Sequence, residues 1–286
     1  MPVPVSKCDA ALGAEIGFDL SGPIDDAAFA EIEAAFHDNI VVFFRGQTLS
    51  DRQHIEFSRR FGELEIHIVK KYLLPGHPEI LLISNVRDAA GELIGLADAG
   101  FTWHTDTSYR RTPSRCSLLY AKEVPRDAGG TVLGDTVFAN CIAAYEALSA
   151  AMRRRLDGLK AIHRYSSRRR IENSPRPKLT PAQLAETPDI LHPVVRTHPH
   201  TGRKALYVTA GECIGIAGMP EDEAVDLIEE LDRHCVRPEF LYRHRWRVGD
   251  LVMWDNASAM HLAICDYALP QRRLMHRTTV IGGVPF

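Results

Sequence analysis

Apolar residues recur along this chain at two spacings, and the change from one to the other marks out its elements. Over residues 25–37, Asp25 and Asp26 precede Phe29, Ile32 and Phe36, spaced three and four apart, as on one face of a helix that opens on acidic residues. The unbroken run Ile40-Val41-Val42-Phe43-Phe44, closed by Arg45-Gly46, reads as a buried strand. Ser50-Asp51 opens a second helix with His54, Phe57 and Phe61 on one side. Strands then dominate, at 80–84, 117–121, 136–139, 194–196, 205–208, 240–245, 251–254 and 277–281. A single helix is predicted from Ile142 to about Asp157, ending near Gly158, and another over 221–235. Many strands and few helices, with no internal repeat or low-complexity linker, predict an α+β chain of one domain whose sheet folds back on itself.

One stretch breaks the pattern. Between about 164 and 188, Arg164, Arg168, Arg169, Arg170, Arg176 and Lys178 stand among Ser and Pro with no apolar period. This predicts a solvated loop or lid in preference to a phosphate-binding patch.

Composition narrows the class. With 286 residues, 45% hydrophobic and 25% charged, the chain is an ordinary globular one, long enough to bury a core without staples. A net charge of -3 argues against a nucleic-acid partner. The six cysteines are dispersed with no C-x-x-C pair, which predicts buried free thiols in a reducing compartment rather than a zinc site or disulfides. The N-terminus has no apolar signal region and no run of 18 apolar residues exists, so a soluble cytoplasmic protein without a membrane span is expected.

The chemistry lies near residue 104 and towards the C-terminus. In Trp103-His104-Thr105-Asp106, side chains two apart on an extended strand would share a face, presenting an imidazole and a carboxylate together. Trp254-Asp255-Asn256 leads to His261, then to Arg272-Arg273 and Met275-His276-Arg277. One carboxylate and two histidines make the facial triad of non-haem Fe(II) oxygenases, which leaves adjacent positions open on the metal. A 2-oxo acid fills two of them and O2 a third. The distal carboxylate of 2-oxoglutarate then needs an arginine, always charged and forked for two-point binding. On a regular strand Arg273 and Arg277 share a face opposite Arg272, which places Arg277 beside the cosubstrate and towards an anionic substrate group.

With these residues the chain resembles the taurine dioxygenase/2,4-dichlorophenoxyacetate dioxygenase (TauD/TfdA) family of Fe(II)- and 2-oxoglutarate-dependent oxygenases. The resemblance runs through Val41–Gln47, Trp103–Asp106, Ile142–Ser149, His192–Pro199, Trp254–Asn256 and Leu269–Arg277, nearly the whole chain. It implies a double-stranded β-helix (jelly-roll) core with flanking helices, Fe(II) on His104, Asp106 and His261, and 2-oxoglutarate clamped by Arg273. Arg277 matches a position beside the cosubstrate that meets the anionic substrate group, and His67 matches a substrate-contacting histidine. The family's Thr on the distal carboxylate matches Thr131 from one side and Thr136 from the other; Thr136 is preferred because it keeps Asp135 and Val137-Phe138 in place. Lys70-Lys71-Tyr72 departs from the taurine enzyme, and Tyr72 joins His67, with Tyr207, in the expected pocket wall. The resemblance further implies a small organic anion as substrate, a sulfonate or carboxylate that fragments by C–S or C–O cleavage if the hydroxylated carbon bears that group, and a homodimer or tetramer. A zinc hydrolase on the same His/Asp/His set, or a jelly-roll protein holding metal without turnover, is the alternative; each leaves Arg273 and the Thr without work.

Overall fold

The run at 40–44 shows why the sheet sits where it does. In the computed structural model, which describes residues 2–165, 180–185 and 187–286, strand Val41–Phe44 is buried throughout. Val41 and Phe43 point into one apolar cluster and Val42 and Phe44 into another, because successive side chains leave a strand on opposite faces. The same alternation divides Ile80 and Leu82 from Leu81 and Ile83, and Leu251 and Met253 from Val252 and Trp254. This sheet therefore has no solvent face at its centre.

It has eight strands, and its middle runs in the order Val41–Phe44, Leu251–Asp255, Ser114–Glu123, Leu274–Ile281, His77–Ser84. On one side lie the helices Asp26–Asn39 and Asp51–Arg59, contributing Ile32, Phe36, Ile55 and Phe57. Asp25 caps the first through Ala28 N, and Ser50 with Gln53 forms a capping box on the second. The other side faces a three-stranded antiparallel sheet, Leu241–His244, Thr136–Asn140 and Ala259–Ala263, which gives Phe138, Tyr242, Ala259 and Met260 to the shared core. Two facing antiparallel sheets with helices outside make the α+β jelly roll. A further sheet, Cys213–Ile216, Lys160–His163 and Ile190–Pro193, packs under helix Glu221–Cys235.

Three expectations change. The helix predicted over 142–157 is two, Cys141–Glu146 and Ala150–Leu156, because the Ser149 side chain caps a new start by accepting from Met152 N. Phe61 lies beyond the end of its helix at Arg59, although its ring still packs on Phe57 at 5.4 Å. Four cysteines are buried, but Cys8 is half-buried and Cys265 exposed; all six are free. The expected lid at 164–188 falls mostly on 166–179 and 186, outside the described residues; Pro181–Ala185 is a short helix. Among the described residues no helix is long and apolar enough to cross a membrane.

Candidate active site

His104 and Asp106 do not share a strand. His104 makes an isolated antiparallel bridge to His261, with backbone bonds of 3.1 Å from His104 N to His261 O and 2.9 Å in return. Residues directly opposite in an antiparallel pair project to the same side. That is why two imidazoles far apart in sequence lie with ring centroids 4.1 Å apart. The chain turns immediately afterwards: Thr107 has φ 56°, a left-handed conformation rare for a β-branched residue, held by Ser114 N donating to its Oγ1 at 2.8 Å. The turn, not strand alternation, brings Asp106 back under the two rings. Its Oδ1 lies 3.7 Å from His104 Nε2 and its Oδ2 4.0 Å from His261 Nε2. Nitrogen and oxygen atoms of the three residues all fall within 4.8 Å of one another.

Their partners suit a divalent metal. His104 Nδ1 donates to Thr102 O at 2.8 Å, which fixes the ring with its Nε2 towards the cluster. Burial, reinforced by His104, lowers the His261 pKa well below the usual histidine value, keeping that imidazole neutral at neutral pH. Its orientation comes from packing, between Trp254 at 4.8 Å and Phe138 at 5.9 Å. Burial opposes ionisation of Asp106, but Arg277, with His104 and His261, outweighs it and holds the carboxyl well below its ordinary range. Arg277 Nη1 donates to Asp106 Oδ1 at 2.9 Å and Ser117 Oγ to Oδ2 at 2.6 Å. The Asp106 amide is held by Asn256 Oδ1 at 3.2 Å. Two imidazoles and one carboxylate, held by hydrogen bonds and, for His261, by packing, fit Fe(II).

A cavity opens beside this cluster, lined by His104, His261, Thr136, Arg273 and Arg277 among others. Arg273 follows strand His77–Ser84 by its backbone: Asn85 Oδ1 accepts from its amide at 2.9 Å, and Ser84 Oγ donates to its carbonyl at 2.8 Å. The expected facing holds, for Arg272 points out to Glu123 while Arg273 is 2% exposed. Both Arg273 and Arg277 carry a buried Nε–H with no acceptor among the described residues. Among the described residues no carboxylate lies within ion-pair distance of Arg273; the Tyr267 ring covers it, 6.0 Å from the guanidinium carbon. Thr136 Oγ1 accepts from Trp246 Nε1 at 3.1 Å, which leaves its own O–H free to donate. Two guanidinium groups, each with an Nε–H left over, and a free hydroxyl around one cavity fit a dicarboxylate. Thr131 lies on an exposed turn closed by Asp127 and lines no part of this cavity.

His67 lines a smaller neighbouring cavity with Glu65, Leu73, Thr279 and the same Arg277. Tyr72 is 3% exposed in the apolar core and lines neither cavity. Tyr207 stacks on His163 at 5.4 Å under Arg196, also outside both.

A second group, His37, His198 and Asp255, has the same composition. Its hydrogen bonds make it structural. His198 Nδ1 accepts from the amides of His200 and Thr201 at 3.2 and 3.0 Å, so the proton sits on Nε2 and is donated to Asp255 at 2.6 Å. A metal on Nε2 would require an anionic imidazolate, and Arg115 lies 3.5 Å from His37.

Ser117 and Thr102 were not singled out from the sequence, and Asn256 appeared there only as part of a motif. Ser117 reads as one more small residue in a buried strand, and only its pairing opposite Trp254, beside the Asn256 turn, puts it under Asp106.

Known proteins place this constellation. The model of the taurine catabolism dioxygenase TauD, TfdA family matches residues 4–279. The chain is 36% identical to the alpha-ketoglutarate-dependent 2,4-dichlorophenoxyacetate dioxygenase of Cupriavidus pinatubonensis, over 92% of each chain. It is 32% identical to pentalenolactone F synthase of Streptomyces arenae, over 99% of this chain and 95% of the other. The crystal structure of AAD-2 in complex with Mn(II) and N-oxalylglycine superposes with a TM-score of 0.82 at 30% identity, covering 100% of this chain and 99% of that one. Neither the zinc hydrolase nor the inert binding protein finds support in these relatives. With its His/Asp/His triad beside a cavity lined by Arg273 and Arg277, the chain belongs to the TauD/TfdA family and is an Fe(II)- and 2-oxoglutarate-dependent dioxygenase using O2.

Proposed function

We propose that the enzyme hydroxylates a small organic anion, a carboxylate or sulfonate, whose charged group is read by Arg277 and His67. In this reading His104, Asp106 and His261 hold Fe(II), Arg273 and Thr136 hold the distal carboxylate of 2-oxoglutarate, and Arg277 lies between cosubstrate and substrate. The bound iron supplies the oxidation: 2-oxoglutarate, O2 and a substrate C–H become succinate, CO2 and C–OH. The residues of the chain bind and orient. Arg273 neutralises the distal charge at the closed end of the cavity, and the apolar wall of Ile83, Leu119 and Trp254 excludes water. Arg277 holds Asp106 ionised, while its Nε–H has no acceptor among the described residues.

The observation that carries this reading is that Arg277 borders both cavities, the one with the triad and the one with His67. A phenoxyacetate-oxidising relative, itself acting on a carboxylate, supports the class. Where hydroxylation falls on a carbon bearing an ether oxygen or a sulfonate, the product collapses with C–O or C–S cleavage. Tyr72, behind Leu73 and Leu81, would shape the wall without touching substrate. Strands of the main sheet drawn from both ends of the chain support a single catalytic domain over 1–286. Membership of the family, rather than this site, is the ground for proposing a cytoplasmic homo-oligomer, a dimer or tetramer.

The test is succinate formation with Fe(II), 2-oxoglutarate and a panel of aryloxyalkanoates, alkanesulfonates and their uncharged esters. Stimulation by one class of anions, lost in its esters, is expected. Equal stimulation by an anion and its ester would refute recognition of charge by Arg277.

A further inference from the structure

We infer that Ser117 is a positioning residue for the metal-binding carboxylate, its hydroxyl fixing the rotation of Asp106. The inference rests on the reading of His104, Asp106 and His261 as metal ligands.

The direction of each hydrogen bond around Ser117 follows from the others. Asn256 Oδ1 accepts from the Asp106 amide at 3.2 Å and from Trp254 Nε1 at 3.1 Å, both of which only donate. The other side-chain atom of Asn256 is therefore the amide nitrogen, and it donates to Ser114 Oγ at 3.0 Å and Ser117 Oγ at 3.2 Å. With a lone pair of Ser117 so occupied, its hydrogen goes to Asp106 Oδ2, 2.6 Å away, the short distance of a hydroxyl on a carboxylate. Ser117 is fully buried in strand Ser114–Glu123, between Trp254 and Thr279 on the neighbouring strands. Its burial shields it from bulk water.

This matters because the terminal torsion of an aspartate is broad and two-fold, so nothing intrinsic decides which oxygen meets the two imidazoles. Arg277 binds Oδ1 and Ser117 binds Oδ2, one donor on each oxygen. Arg277 reaches Asp106 on a long side chain that also serves the cavity. Ser117 reaches it from the middle of a paired strand, the more rigid of the two anchors. Ser114 gives an internal control: it joins the same network through Asn256 but does not touch Asp106.

The experiment is calorimetric titration of the metal-free enzyme with Mn(II), for the wild type and for Ser117→Ala, Ser117→Thr and Ser114→Ala, with melting temperature followed alongside. Loss of an outer contact to a metal ligand weakens affinity by about 10- to 100-fold. Ser117→Ala is expected to weaken Mn(II) binding by about that factor, Ser117→Thr to restore most of it by keeping the hydroxyl, and Ser114→Ala to stay within about threefold of wild type. If Ser117→Ala does not fold, Ser117→Cys, of similar size with a weak donor, is held to the same criterion. Ser117→Ala binding as tightly as wild type overturns the inference and leaves the metal site standing. An equal loss in Ser114→Ala also overturns it, because the effect would then pass through Asn256. A wild type that binds no Mn(II) overturns the metal site itself.

Discussion

Replacing Arg273 by lysine keeps the charge of the proposed cosubstrate clamp and removes its shape. Among the described residues Arg273 is buried, carries an unpartnered Nε–H and meets no carboxylate, so the proposed distal carboxylate would be its ion-pair partner. A guanidinium offers two parallel N–H donors to a carboxylate where an ammonium offers a point charge. The substitution thus removes one of two charge-assisted hydrogen bonds, each contributing about 1.5–3 kcal/mol. At about 1.4 kcal/mol per tenfold, the 2-oxoglutarate concentration for half-maximal rate should rise roughly 10- to 150-fold. The rate at saturating cosubstrate should change little, since the contact is with the distal carboxylate and not the reacting end. Mn(II) affinity should be unchanged, because Arg273 bonds to none of the three ligand side chains. Succinate release against 2-oxoglutarate concentration, with a Mn(II) binding isotherm, measures all three. Half-saturation within threefold of wild type, or a parallel loss of metal, would refute the reasoning. Thr136→Val should move half-saturation in the same direction by less, and Thr131→Ala not at all.

Two further outcomes concern stability. His54 and His163 are fully buried, and desolvation, with neighbouring positive charge, lowers each pKa to about 3. Their folded values lie below the unfolded value near 6.5, so the stability they allow is intact above about pH 6.5 and lost as pH falls towards 3; each adds about 1.4 kcal/mol per pH unit once the unfolded histidine is charged. Urea unfolding from pH 7 to 5 should show this slope, reduced in His54→Leu; a flat profile would contradict it. His198→Ala should destabilise by about 3–5 kcal/mol, because it strands the buried Asp255 carboxylate, while a single Mn(II) still binds. Two Mn(II) ions per wild-type chain would show the His198 cluster to be a second metal site.

Local chemistry made much of this structure legible. Asp25 and Ser50 announce their helices because capping is decided within four residues. The doubly buried strand at 41–44 is visible because both faces are apolar. The break at Ser149 hides inside an apolar periodicity that runs across it, and only the cap bond to Met152 reveals it. The geometry of His104 and Asp106 was beyond local reading. Their shared direction depends on a bridge to His261 and on a left-handed Thr107, and neither follows from His-x-Asp spacing. The sequence puts Arg277 beside Arg273 on one face, and both line the cavity, but the bond of Arg277 to Asp106 appears only when strand Leu274–Ile281 is laid against Ser114–Glu123.

The central claim is that His104, Asp106 and His261 hold Fe(II) next to a cavity that binds a 2-oxo acid. Anaerobic titration of the metal-free enzyme with Fe(II) and then 2-oxoglutarate, followed by visible absorption, tests it most directly. The account predicts a weak charge-transfer band that needs both additions and is absent in Asp106→Ala. No band in the wild type, or an undiminished band in Asp106→Ala, would contradict it.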